Sequence, residues 1–220
     1  QGGATVANLA ITGSGVGIAA GGNLTSPITG APTLSDNTLA LGTRTTATQR
    51  GVYLSAPTGD INFTDTAIGQ TTAGAFRVGD GVVGSGGNAN ITYQGLIANN
   101  INGNGGVPST LVDINNTTGG TINLAVGGTP AGALQPNAIS DLGGQGIVIE
   151  ANAAATTINM GNVSLTNSLN TGILLKNDNA TTSISSDAGT GIVKTTAGAA
   201  IGIDGGSPVF DYFGTINNAP

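Results

Sequence analysis

Apolar residues in this chain arrive in short bursts with a period of two. Gly146-Ile147-Val148-Ile149 is followed by Thr157-Ile158-Asn159-Met160, and Gly172-Ile173-Leu174-Leu175 by Ser183-Ile184-Ser185. The same apolar-x-apolar unit stands in Gly51-Val52-Tyr53-Leu54 before Asp60-Ile61-Asn62-Phe63, and in Val112-Asp113-Ile114 before Thr121-Ile122-Asn123-Leu124. A further copy, Gly191-Ile192-Val193, precedes Ile201-Gly202-Ile203. From Ile147 to Ile158 is 11 residues, and from Ile173 to Ile184 again 11. Bursts of three or four residues are too short for helices, and their alternation puts the outer two on one strand face and the middle one on the other. No window carries an apolar stripe of helical period. The pattern predicts short β-strands and almost no helix.

Copies lie 26 residues apart between Gly146 and Gly172, 19 between Gly172 and Gly191, and 23 between Gly51 and Gly74. Such spacings suit a solenoid with coils of about 20–25 residues. The 36-residue step from Thr110 to Gly146 then holds an inserted loop over 127–136. A strand this short can neither satisfy its own backbone nor bury its apolar face. Stacked ~4.8 Å from a like strand it does both, and its inward Ile, Val and Leu join continuous columns. Gly and Asn suit the corners, where positive φ is needed, and Asn side chains can stack into amide ladders. The expected fold is therefore all-β, a parallel β-helix (β-solenoid) of irregular coils, roughly nine in number. Residues 1–50 fit the pattern poorly and are expected to form N-terminal capping or irregular coils. Val6, Leu9 and Ile11 would make a capping strand there, and Val16-Gly17-Ile18 would open a coil. The solenoid proper is expected over 51–206, with 207–220 as an aromatic C-terminal cap or docking strand.

Composition narrows the function classes. Only 7% of the 220 residues are charged, against about 25% in ordinary soluble domains. Gly numbers 39, hydrophobic residues reach 38%, and His, Cys and Trp are absent. Low charge with ample aliphatic content is the composition of a chain that orders by stacking thin layers, whereas disorder goes with high charge or low hydrophobicity. Net charge is −6, and the basic residues Arg44, Arg50, Arg77, Lys176 and Lys194 are scattered. Displacing counterions from phosphates needs clustered cations, so nucleic acid is not an expected partner, and neither is an anionic membrane surface. No apolar run approaches the ~18 residues of a spanning helix, so no membrane insertion is expected. The opening Gln1-Gly2-Gly3 has neither the basic nor the apolar region of a signal peptide, as expected of a mature secreted product or a piece of a longer chain.

Segments such as Thr117-Thr118-Gly119-Gly120-Thr121-Ile122-Asn123-Leu124 and Asn170-Thr171-Gly172-Ile173-Leu174-Leu175 resemble the repeats of large bacterial β-strand-repeat surface proteins. They are similar also to autotransporter and haemagglutinin-type β-helix passengers. The resemblance runs from Gly51 to Asn218 and is one of composition and period. It implies a right-handed parallel β-helix, located extracellularly at the bacterial cell surface, with an adhesive or envelope-building role. Its implied partners are other copies of itself or neighbouring modules of one surface protein.

Candidate chemistry is sparse. Without His there is no Ser-His-Asp triad or imidazole ligand, and without Cys no thiolate site or disulfide. Gly79-Asp80-Gly81 and Gly84-Ser85-Gly86-Gly87 read as turns, since no Lys completes a phosphate loop. The carboxylate pairs Asp60/Asp65 and Asp178/Asp187 are candidates for glycosidic acid–base chemistry. Asp60, Asp65 and Asp178 read more simply as turn residues bonded to nearby backbone. No catalytic, metal or cofactor residue is expected, and the chain is not expected to be an enzyme. Glu150 and Lys176 each lie four residues after a repeat glycine, so stacked coils would pair them as an exposed ion pair that pins register. Phe210, Tyr212 and Phe213 crowd three aromatics into four positions, as an assembly surface or a cap over the last coil. The expected function is a structural or adhesive module of a bacterial surface protein, or one that assembles into a fibre, sheath or surface layer. The alternative is a carbohydrate-binding or carbohydrate-cleaving β-helix with a glycan partner.

Overall fold

The computed structural model describes residues 51–69, 74–99, 110–127, 137–142, 145–166, 168, 170–186, 191–194 and 198–218. It also describes strand segments at 5–7, 10–11, 18–20, 33–35 and 38–40. The described residues are all-β, with no helix among them. Every pairing between the strands is parallel.

The strands form two sheets. The larger one has two limbs. Its first limb contains β1 (Thr5–Ala7), β4 (Thr33–Ser35), the leading half of β7 (Asp60–Gly69) and the leading half of β9 (Asn90–Asn99). It continues through β11 (Gly120–Leu124), β14 (Thr156–Met160), β17 (Thr181–Ser185) and β20 (Val209–Phe213). The second limb contains β2 (Ala10–Ile11), β5 (Thr38–Ala40) and the trailing halves of β7 and β9. It continues through β12 (Ala138–Leu142), β15 (Val163–Thr166), β18 (Gly191–Lys194) and β21 (Thr215–Asn218). The smaller sheet runs β3 (Ile18–Ala20), β6 (Val52–Leu54), β8 (Phe76–Val78), β10 (Thr110–Asn115), β13 (Gln145–Glu150), β16 (Ile173–Asp178) and β19 (Ile201–Gly206). From β10 onward each strand pairs with the strand three later. One strand from each of the three tracks makes a rung.

Register builds apolar columns through the rungs. In the smaller sheet Ile18, Val52, Phe76, Val112, Ile147, Ile173 and Ile201 are successive partners. The first limb aligns Ile61, Ile91, Ile122 and Ile158, and the second aligns Ile68, Ile97, Ile139 and Val163. Val52, Phe76, Val112, Ile147 and Ile173 of the first column and the named residues of the other two are buried in one continuous apolar cluster, against which the partly buried Ile201 packs. Each fully buried aliphatic side chain contributes about 1.5–3 kcal/mol, so repetition along the rungs, rather than any single rung, stabilises the chain.

Several expectations from sequence need correction. The spacing between register partners mostly exceeds the expected ~20–25 residues. Register partners in the smaller sheet stand 34, 24, 36, 35, 26 and 28 residues apart, from Ile18 to Val52 and onward to Ile201. Among the described residues eight strands stack in the first limb. The step from Gly172 to Gly191 is not a rung, because β18 lies in the second limb and Ile173 meets Ile201. A small residue before an apolar burst is needed at more than one corner, so the same tripeptide serves different tracks. Finally, Ile158 pairs with Thr182, and Met160 with Ile184, so the two 11-residue spacings join non-equivalent positions. Strand lengths also differ from three or four residues. β7 and β9 have ten each, and a register shift between Phe63 and Thr66 lets one strand serve both limbs.

The first 50 residues supply β1 to β5, which pair in the same parallel order as the later strands. Leu9 and Val16, and the inserted loop beyond Gly127 up to Pro136, lie outside the described residues. The repeat glycines have a steric cause. A Cβ on Gly146 would overlap the carbonyl oxygen of Gly172 in the next rung, and one on Gly172 would crowd that of Ala200.

Candidate functional site

Polar side chains are concentrated where the smaller sheet turns into the first limb. One residue past the strand register, Asn116, Ala151 and Asn177 adopt positive φ of 55°, 55° and 48°. The left-handed conformation costs an L-residue roughly 1–2 kcal/mol, least for Asn, and here it turns the chain sharply toward the next track. The following residues, Thr117, Asn152 and Asp178, are buried. Asn152 Oδ1 accepts from the Thr117 amide at 3.0 Å and from the Thr117 hydroxyl at 2.8 Å, while Asn152 Nδ2 donates to the Ile114 carbonyl at 3.1 Å. Asp178 Oδ1 accepts from the Asn152 amide at 3.2 Å. Each rung thus satisfies a buried donor of its neighbour, which a corner without a side-chain acceptor would leave unpaired. Burial raises the Asp178 carboxyl above its ordinary value, opposed by the hydrogen bonds from Asn152, Ala180 and Asn179. Its Oδ2 has no hydrogen-bond partner. Asp178 is therefore bonded both to nearby backbone, at Asn179 and Ala180, as the sequence suggested, and across rungs to Asn152.

Glu150 and Lys176 are register partners in β13 and β16, and Lys176 Nζ donates to Glu150 Oε1 at 2.7 Å. That hydrogen bond and the Glu150 charge raise the Lys176 pKa, and Asp204, its partner in β19, adds to the effect. Both side chains remain well exposed, so the pair contributes alignment more than stability. On the outward side of the smaller sheet, Tyr53, Arg77 and Asp113 are consecutive partners. Arg77 Nε lies 3.3 Å from Asp113 Oδ2, and its guanidinium sits 5.9 Å from the centre of the Tyr53 ring. Along the first limb Asn159 Nδ2 donates to Asn123 Oδ1 at 2.8 Å, an amide contact between stacked rungs.

Apart from Tyr53, the aromatics lie in two places. Phe210 and Tyr212 of β20 pair with Thr182 and Ile184 and pack against the apolar cluster, whereas Phe213 is 62% exposed. Tyr212 donates its hydroxyl to the Thr215 carbonyl at 3.1 Å, and partial burial raises its pKa. These residues form part of the last rung, β19 to β21. The second group was missed by sequence reasoning. Phe63, Phe76 and Tyr93 are buried together, with ring centres 5.4–6.1 Å apart. The signal was available in the recurrence of Phe63 and Tyr93, which are register partners thirty residues apart.

Of the carboxylate pairs, Asp60 accepts from Asn90 Nδ2 at 2.9 Å, a contact between adjacent rungs. The Asp65 side chain and all of Asp187 lie outside the described residues, as do Arg44, Arg50 and the Lys194 side chain. In the 79–87 turn, Asp80 Oδ1 accepts from the Val82 amide at 2.9 Å, which holds its carboxyl below the ordinary value. Among the described residues no group of three or more acidic side chains is placed to hold a metal ion, and no helix is long and apolar enough to cross a membrane. The geometry is that of an all-β protein of parallel, in-register strands whose polar side chains mostly bond from rung to rung. The chain matches no protein-family model, no curated protein and no solved structure.

Proposed function

We propose that the chain is a right-handed parallel β-solenoid serving as a structural module of a bacterial extracellular surface assembly, such as an adhesin, sheath, surface layer or fibre. The observation that carries this reading is the strand order. Three tracks of parallel strands recur rung after rung, and their inward residues share one core. A chain built this way extends by repetition and needs only stacking to gain length and stiffness. The side-chain chemistry supports the same reading, since the corner ladder and the Glu150–Lys176 pair both join one rung to the next. Very low charge and abundant Gly, Thr and Asn suit an assembly whose surface is mostly backbone and small polar groups. Two measurements test it. Electron cryomicroscopy of the purified chain should give a rod with rungs ~4.8 Å apart and a right-handed path. Gold-labelled antibody on producing cells should mark the outer surface, and label confined to the cell interior would overturn the proposal.

A second reading, glycan binding, is favoured by one observation. Tyr53, Arg77 and Asp113 place an aromatic ring beside charged hydrogen-bonding groups on the outward side of the smaller sheet. A glycan array read with the native chain and with Tyr53→Ala decides it. Silence of the native chain retires this reading.

A further inference from the structure

The corner that follows β8 is longer than turning requires. It takes eleven residues, 79–89, where the corners after β6, β10, β13 and β16 take five, four, five and two. Residues 85–88 make the turn itself. Ala56 donates its amide to the Ser85 carbonyl, Gly86 to that of Asn116 and Asn88 to that of Pro57, so this stretch stacks between its neighbouring rungs. The excess, 79–84, stands out from the rungs and is tied down along its length. Asp80 Oδ1 accepts from the Val82 amide at 2.9 Å, Ser85 Oγ from the Asp80 amide at 2.9 Å, and Asn115 Oδ1 from the Gly81 amide at 2.8 Å. Gly81 and Gly84, at φ of 91° and 79°, flank the two residues at the tip. The braced loop holds Val82 65% and Val83 91% exposed.

Between this loop and the preceding corner lies a cavity of about 200 Å³ lined by Ser55, Ala56, Asp80, Val82, Val83 and Ser85. Ser55 is 6% exposed, and its hydroxyl has no hydrogen-bond partner. A buried hydroxyl left unpaired is costly, and a ligand that bonds it removes the cost. The Val82 amide and the Ser85 hydroxyl hold the Asp80 carboxyl below its ordinary pKa, aided by the Arg77 charge, so it is ionised at neutral pH. Arg77 is itself engaged by Asp113, which leaves the charge in the cavity wall negative.

These features select a ligand. One carboxylate beside hydroxyl oxygens suits a singly charged cation, whereas a calcium ion takes more oxygen ligands than this. The valines suit an aliphatic stem, and the lining has no aromatic ring. The volume is below the about 300–1,000 Å³ of pockets for drug-sized molecules and takes one long side chain. Asp80 Oδ1 is already used by the Val82 amide, which spoils the bidentate fork that a guanidinium prefers but not the single contact an ammonium needs.

We propose that the cavity is a socket for the side chain of a lysine carried by a partner polypeptide. Its ammonium bonds Asp80 and Ser55, its methylene stem lies along Val82, and the adjoining partner backbone covers Val83. That last contact selects a polypeptide over a free amine, since a four-carbon stem inside the cavity leaves the outermost valine bare. The socket goes beyond the structural role proposed above and does not depend on it.

The test uses the whole chain with isotope-labelled valine methyl groups, read by NMR as a blocked pentapeptide with a central lysine is added. The Val82 and Val83 signals should shift saturably. Asp80→Asn retains an acceptor for the Val82 amide, and Ser55→Ala removes only an unpaired hydroxyl, so both should keep the circular dichroism of the parent. Each should weaken the peptide ~tenfold or more, because a hydrogen bond to a charged group is lost. Acetylation of the peptide's lysine should weaken it as much, and butylammonium should bind more weakly than the peptide. Absence of shifts at every peptide concentration overturns the proposal, as does binding indifferent to acetylation or to either variant. An arginine peptide that binds more tightly, or butylammonium that binds as tightly as the lysine peptide, overturns it as well. All of these results leave the structural-module reading to its own test on cells.

Discussion

Thr182 occupies a place that its neighbours in register give to isoleucine. Ile61, Ile91, Ile122 and Ile158 precede it in the inward column of the first limb, and Phe210 follows. Its side chain is 1% exposed and its hydroxyl has no hydrogen-bond partner. A buried, unpaired hydroxyl costs about 1–3 kcal/mol of desolvation. Thr182→Val keeps the shape and the β-branch, replaces the hydroxyl by a methyl in an apolar column, and should stabilise the chain by about 1–2 kcal/mol. For a chain of this length that raises Tm by roughly 2–8 °C. Thr156→Val is the control. Thr156 is equally buried, but its hydroxyl lies 2.7 Å from that of Thr117, which in turn bonds Asn152. The same substitution there deletes a made hydrogen bond and should destabilise by about 0.5–1.5 kcal/mol. Urea and thermal unfolding of both variants beside the parent give the two signs. A Thr182→Val chain no more stable than the parent, or two shifts of the same sign, refutes the assignment of Thr182 to the core column.

The other predictions concern the corners. Asn152→Ala removes two bonds to Thr117 and one to Ile114 and leaves a buried amide without an acceptor, so thermal unfolding should show a loss of about 2–4 kcal/mol. Burial raises the Asp178 pKa above its ordinary 3.8, so the stability this group contributes is fully present below that value and is lost as pH rises through the raised one. Asp178→Asn retains the acceptor for the Asn152 amide and should therefore melt higher than the parent at neutral pH, with the advantage shrinking toward zero below pH 3.8. A pH-independent difference in Tm would refute that account. Gly146→Ala drives a methyl into the Gly172 carbonyl of the next rung, and the required backbone shift should cost about 1–3 kcal/mol in chemical denaturation.

The alternation of apolar residues was enough to define an all-β chain of short parallel strands with a narrow aliphatic interior, because strand periodicity depends on neighbours two residues apart. Val52, Ile147 and Ile173 could be recognised as inward residues on that ground alone. The pairing of Glu150 with Lys176 was legible too, since both follow a glycine by the same count and β13 and β16 stack directly. Rung length was not legible. The tripeptide at Gly191 looks like that at Gly172 yet belongs to a different track, and only pairing distinguishes them. The buried polar corner was equally hidden, because Thr117, Asn152 and Asp178 are different residue types 35 and 26 positions apart. Their hydrogen bonds exist only once rungs are superposed, and so does the stacking of Phe63, Phe76 and Tyr93. Local pattern determined which residues form strands and which side of each faces inward. The tertiary structure alone decided which strand lies on which, since register is a contest among many near-identical pairings settled by corner sterics and buried hydrogen bonds.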